Sequence, residues 1–239
     1  MQFGLHLPAS SSAVESDDLI RFTRQAETLG FYCVTVADHV IVPKNISVPY
    51  PYTVDGKYPG TGYHLETLTT MSFLAGATQR IRLATSVMIA PYRNPIITAK
   101  MLASLDVLSQ GRVIVGLGVG WMKEEFDNLK APRFEERGRV TDEYILAFRE
   151  LWTNDNPSFN GKYCNFSTSF FCRNRSRSRR SRSGSVAIVN RPCGGLVSWA
   201  TVGILLAVFQ RFRWNRRTWL KTWRYLWATP KKLEEILRI

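Results

Sequence analysis

The four cysteines of this 239-residue chain form no CxxC pair and follow no regular spacing. That fits a reducing compartment better than a disulfide scaffold, so a cytoplasmic location is expected. Residues 1–8 lack the charged region and apolar core of a signal peptide. No apolar run reaches the roughly 20 residues of a spanning helix. The longest, residues 196–209, is broken by Ser198, Thr201 and Gly203, so no membrane partner is expected. Acidic residues are nearly missing from the end of the chain: residues 169–239 hold 2 Asp and Glu against 16 Lys and Arg, while residues 1–168 hold 17 against 16. The net charge of +13 therefore belongs to a basic tail joined to a nearly neutral globular piece. Hydrophobic content of 45% and charged content of 21% exclude a collagen, a coiled coil and a wholly disordered chain.

The globular piece alternates strand and helix. Residues 2–7 form a short apolar run ending at Pro8, and residues 32–36 and 81–87 are further strands rich in β-branched residues. Asp17 and Asp18 open a helical pattern with Leu19, Ile20, Phe22, Ala26 and Leu29 on one face, stopped by Gly30. Helices are predicted over 65–77, 96–108 and 140–152, and a glycine-studded apolar strand over 113–119. A Pro- and Tyr-rich loop spans 43–63. Continuous apolar strands alternating with helices imply a parallel sheet buried on both faces. A doubly wound sheet and a (β/α)8 barrel both fit, and four β-α units in about 150 residues is half a typical barrel.

The stretches "FGLHLP", "AETLGFYCVTVADHV", "RIRLATSVMIAPYRNPIITAKMLASLDVLSQGRVIVGLGVGWMKEEF" and "ERGRVTDEYILAFRELWT" resemble the bacterial luciferase-like monooxygenase superfamily, in its F420-dependent oxidoreductase branch. The resemblance runs to about residue 168. It implies the N-terminal half of a TIM barrel that binds FMN or F420 at the C-terminal ends of its strands. It implies an enzyme passing hydride to or from a small organic substrate, with or without O2 as co-substrate, and often homo-oligomeric. Asp38 and His39 stand just past the second strand, where a barrel places functional groups. His39 resembles the histidine beside the deazaflavin ring in relatives and is the expected catalytic proton carrier, the alternative being a residue that only ties down the loop. Thr85, Ser86 and Val87 end the third strand, where relatives form a bulge, often with a cis non-prolyl peptide, under the flavin. Gly116, Gly118 and Gly120 sit on the fourth strand rather than opening a helix, so close backbone approach to the cofactor is expected instead of a dinucleotide fingerprint. Asp38, His39, Ser86, Val87, Gly116, Gly118 and Gly120 are thus the expected cofactor contacts, and no metal site is expected. Trp121 stands where the sugar-phosphate dehydrogenase branch carries a catalytic glutamate, which argues against sugar-phosphate oxidation. Glu124 and Glu125 read as a solvated helix start, the alternative being acid catalysts.

Three readings compete for the tail, which begins "RNRSRSRRSRSGS". One is a disordered Arg/Ser arm for nucleic acid, which would make the protein a non-catalytic nucleic-acid binder. Another is a basic and apolar membrane anchor. The third is translation out of frame. Joining each codon's third base to the next codon's first two, residues 170–175 can encode F-L-P-K-P, residues 183–192 W-I-G-G-N-S-E-P-A-L, and residues 192–207 L-R-R-A-G-E-L-G-D-G-W-H-P-V-G. These follow the family's later segments in order. On this reading residues 169–229 are an out-of-frame tail, the slip lies between codons 166 and 170, and residues 230–239 form a short helix. The tail's charge then implies no specific nucleic-acid partner. The open strands 2–7 and 113–119 would expose unpaired edges.

Overall fold

The structure, a computed structural model, describes residues 3–10, 15–50, 53–58, 60, 62–167, 170–171 and 186–188. The Arg/Ser run, the apolar run 196–209 and the expected helix 230–239 lie outside the described residues. Strands β1 (Gly4–His6), β2 (Cys33–Val36) and β3 (Arg82–Thr85) pair in parallel, with Leu5 opposite Val34 and Val34 opposite Leu83. The expected third strand is interrupted after Thr85 and resumes as β4 (Met88–Ile89). Both halves pair in parallel with β5 (Val113–Gly118), Leu83 opposite Val113 and Met88 opposite Leu117. All residues of β2 and β5 are buried, as a sheet covered on both faces requires.

Neighbouring strands follow chain order without a reversal. A doubly wound sheet reverses at a switch point, so the order decides for barrel winding. One expectation is corrected: β5 is not an open edge. Strand β8 (Val186–Ile188) pairs with it in parallel, Val115 opposite Val186. The Val-Ala-Ile triplet suits an extended backbone whatever the charge of the tail around it.

Local chemistry sets the helix limits. α1 (Ser16–Thr28) carries Asp17 and Asp18 in its first turn, and Gly30 leaves it at φ +79°. α2 (Thr67–Ala77) is capped by the Glu66 carboxylate, which accepts from the Thr69 amide. α3 (Pro95–Leu108) starts at Asn94, whose side chain accepts from the Ile96 and Ile97 amides, with Pro95 preset for the first turn. Short α4 (Lys123–Asn128) precedes α5 (Arg137–Thr153), and a hairpin of β6 (Phe159–Asn160) and β7 (Asn165–Phe166) follows. One core joins Val34, Leu83 and Leu117 of the sheet to Leu74, Leu102 and Phe148 of the helices. Beyond the N-terminal ends of the strands, Arg112 donates to the carbonyls of Ala75, Ile81 and Ser109, which pins the end opposite the site.

Candidate active site

The C-terminal ends of β1, β2, β3 and β5 converge on the loop that follows β2. Asp38 anchors that loop. Its Oδ2 accepts from the Ile89 amide at 2.8 Å and Arg93 Nη1 at 2.8 Å, and its Oδ1 from Arg93 Nη2 at 2.7 Å and Thr67 Oγ1 at 3.0 Å. Arg93 also reaches Glu66 at 2.9 Å, and the side chain of Asp38 is wholly buried. Both carboxylate oxygens are thus taken by protein donors. Asp38 joins the ends of β2 and β4 and the start of α2; its carboxylate holds the scaffold of the site.

His39 is the next residue, just past the end of β2. Its Nδ1 lies 2.8 Å from Glu125 Oε2, and its side chain is 13% exposed. Glu125, expected at a solvated helix start, is fully buried. The helix start is real, but the β2 loop folds over it: Glu125 Oε1 accepts the Val40 and Ile41 amides at 2.7 and 3.1 Å, and Oε2 accepts from Tyr92 Oη at 3.0 Å. Burial pushes the Glu125 carboxyl up, but the bonds from His39, Val40 and Ile41 and the attraction of His39 outweigh it. They hold the carboxyl below the usual range. Glu124 takes Ser47 instead, its Oε1 accepting from the Ser47 amide at 2.7 Å and from the hydroxyl.

Aromatic rings surround His39. Its ring centroid lies 4.9 Å from His64, 5.4 Å from Tyr58 and 6.4 Å from Trp121. Tyr58 Oη sits 2.8 Å from His64 Nε2. Burial, then the nearby charge of His39, pushes His64 down to about 4, so it is neutral at pH 7. Tyr50 closes the group, 5.0 Å from Trp121.

The Ser86–Val87 peptide is cis, as the bulge reading expected. Ser86 N donates to the Val36 carbonyl at the end of β2, so Ser86 and His39 share one end of the sheet. Ser86 and Val87 are half-buried between buried neighbours on either side. The glycines of β5 lie against the bulge. A Cβ on Gly116 would meet the Thr85 carbonyl at 2.5 Å, and one on Gly118 would meet Val87 Cγ2 at 2.5 Å. The close approach is between β5 and the bulge. Gly120 adopts φ +85° beside Phe126, at the turn out of the strand. Among the described residues, no His, Cys, Asp and Glu cluster could hold a metal.

Sequence reasoning missed Arg93, Glu66, Tyr92, Tyr58 and His64 as site residues. Tyr92 and Arg93 carried a signal: polar groups directly after an apolar strand, before a proline-started helix. Tyr58 and His64 lie in a loop whose path no periodicity reveals.

The profile of the luciferase-like monooxygenase family matches residues 1–185, past residue 168 where the resemblance was expected to end. An uncharacterized protein of Mycobacterium tuberculosis is 33% identical over 172 residues, 71% of this chain and 60% of the relative. The F420-dependent glucose-6-phosphate dehydrogenase of Amycolatopsis mediterranei is 34% identical over 65% of this chain and 43% of its own length. Among solved structures, an F420-dependent secondary alcohol dehydrogenase in complex with an F420-acetone adduct superposes with a TM-score of 0.56 at 26% identity, over 71% of this chain and 48% of that one. A monooxygenase from Streptomyces bottropensis gives a TM-score of 0.57 at 26% identity, over 70% and 48%. The chain thus spans 60% of the mycobacterial relative and about half of these solved chains.

Proposed function

The chain belongs to the luciferase-like monooxygenase family, and from that premise we propose that it is an oxidoreductase for a small organic substrate, using F420 or FMN, with His39 as its proton carrier. The observation that carries the reading is the His39–Glu125 pair at 2.8 Å, set past the end of β2, the strand end that Ser86 N also bonds.

The residues present fit such a group. A planar, largely apolar ring needs an apolar shelf and one polar partner of adjustable protonation. Ser86 and Val87 would hold it, with the end of β5 at Gly118 beneath them. When bound, a flavin or deazaflavin supplies the two-electron, hydride-transferring centre. The chain supplies the rest. His39 takes or gives the proton that accompanies the substrate's change of oxidation state. Tyr50, Tyr58 and Trp121 exclude water from the imidazole and present an aromatic wall, which favours a small apolar substrate over a sugar phosphate. Asp38 and Arg93 keep the loop that bears His39 in place.

Titration of the purified chain with FMN and with F420, followed by fluorescence quenching, tests the reading. Saturable binding of one of them is expected, with His39→Ala keeping that binding and losing turnover. Binding of neither would overturn it. We further propose that residues 169–229 are translated out of frame, and resequencing near codons 166–170 checks this.

A further inference from the structure

The pattern of donors around Glu125 goes beyond what a loop staple needs. A staple requires only the Val40 and Ile41 amides, and both fall on Oε1. Oε2 is aimed elsewhere, at His39 Nδ1 and Tyr92 Oη, 2.8 and 3.0 Å away. We propose that Glu125 is a positioning residue for the reaction above: it fixes His39 with a proton on Nδ1, so that Nε2 alone exchanges the reacting proton. The inference rests on the oxidoreductase reading for its purpose and on this geometry for its content.

The chemistry is one of donors and acceptors. An ionised carboxylate only accepts, so the nitrogen facing it must carry hydrogen. Neutral His39 is then the Nδ1–H tautomer, with its lone pair on Nε2 ready to take a proton. Once Nε2 is protonated, the buried anion stabilises the imidazolium, and Nε2 gives the proton back. Tyr92 reinforces the arrangement, because its hydroxyl donates to the same oxygen and leaves no donor role for that oxygen to seek. The rings of His64, Tyr58 and Trp121, at 4.9, 5.4 and 6.4 Å, hold the imidazole against turning over. Among the described residues His39 Nε2 has no hydrogen-bond partner, which leaves it for substrate. The logic is that of a carboxylate orienting a catalytic imidazole.

Long-range proton–nitrogen NMR of the full chain, with no cofactor added, reads the tautomer directly. The chain has three histidines, and His39→Gln assigns the signal. At a pH where the ring is neutral, His39 is expected to show a protonated Nδ1 and a bare Nε2. An Nε2–H tautomer in the wild type would overturn the proposal without any variant. In Glu125→Gln the side-chain amide can donate as well as accept, so a mixture of tautomers is expected. An unchanged tautomer in a folded Glu125→Gln protein would also overturn it. Tyr92→Phe removes a donor to Glu125 without touching the imidazole and should leave the tautomer as it was. With cofactor and substrate present, Glu125→Gln is expected to lower kcat with little change in KM, by part of the about 100- to 10,000-fold that general acid–base catalysis supplies. A locked tautomer in a protein that turns nothing over would count against the functional reading alone; turnover with an Nε2–H tautomer would count against Glu125 alone.

Discussion

Replacing Asp38 by Asn should cost about 3–5 kcal/mol, because it removes one charge from a buried pair and leaves the other uncompensated. Arg93, 15% exposed, would keep only the partly exposed Glu66 as a full counter-charge. Chemical denaturation of Asp38→Asn checks this; a loss below about 1 kcal/mol would mean that the network is not structural. Glu125 gives a pH signature. Its folded value lies below the ordinary 4.5, so the unfolded chain takes up its proton first as pH falls. The stabilisation is complete above 4.5 and fades as pH drops through the lower folded value. Glu125→Gln should therefore flatten the stability profile below pH 4.5. His64 acts in a higher window. Held down to about 4 against an ordinary 6.5, it protonates first in the unfolded chain, so stability should decline as pH falls from 6.5 to about 4. His64→Gln should lessen that slope in denaturation midpoints measured across the range, leaving the share of His6, which burial also holds down. These assignments show what single residues disclose in sequence. His39 was legible from its place after a strand. Glu125 was not, because its burial is made by a loop that arrives from residues 40 and 41, and nothing in the local sequence carries that contact.

The strands and helices themselves were written in the apolar periodicity. β2, β5 and α1 were expected within a residue or two of where they stand, since continuous burial and a one-sided apolar stripe are local properties. The β6–β7 hairpin was not visible, because two-residue strands carry no period, and of the six-residue α4 only its start at Glu124 and Glu125 was read. The break in the third strand was visible only through resemblance. At this scale the glycines give an ordered test. Gly116→Ala presses a Cβ to 2.5 Å from the Thr85 carbonyl, a backbone atom that cannot swing away. Gly118→Ala meets a side-chain methyl of Val87 at the same distance, which can yield in part. Both should destabilise by about 1–3 kcal/mol or more, Gly116→Ala the more severely. Gly76→Ala, inside α2 with nothing within 4 Å of the new Cβ, should stabilise by about 0.5–1 kcal/mol. Urea midpoints of the three variants check the order, and a neutral Gly116→Ala would show that β5 and the bulge are not closely packed.

At the scale of the whole molecule the question is closure. A barrel has no edges only when its last strand pairs with its first. Among the described residues β1 pairs with β2 alone, and Phe3 beside it is 58% exposed. Such an edge invites a second chain. The 239-residue polypeptide should therefore self-associate as its concentration rises, and Phe3→Lys should reduce that association without lowering stability, as read by light scattering and denaturation together. Cofactor binding should follow the same logic. The chain spans 60% of the mycobacterial relative, and the W-I-G-G and G-D-G-W segments implied by the shifted codons are absent from its translated sequence. If those segments complete the cofactor site, the chain as translated should bind F420 or FMN at least about tenfold more weakly than one with the frame restored after codon 166, a difference of about 1.4 kcal/mol or more. Side-by-side fluorescence titration of the two chains measures it. Equal affinity would mean that residues 1–168 and β8 already make up the binding surface, and the out-of-frame reading would lose its functional consequence.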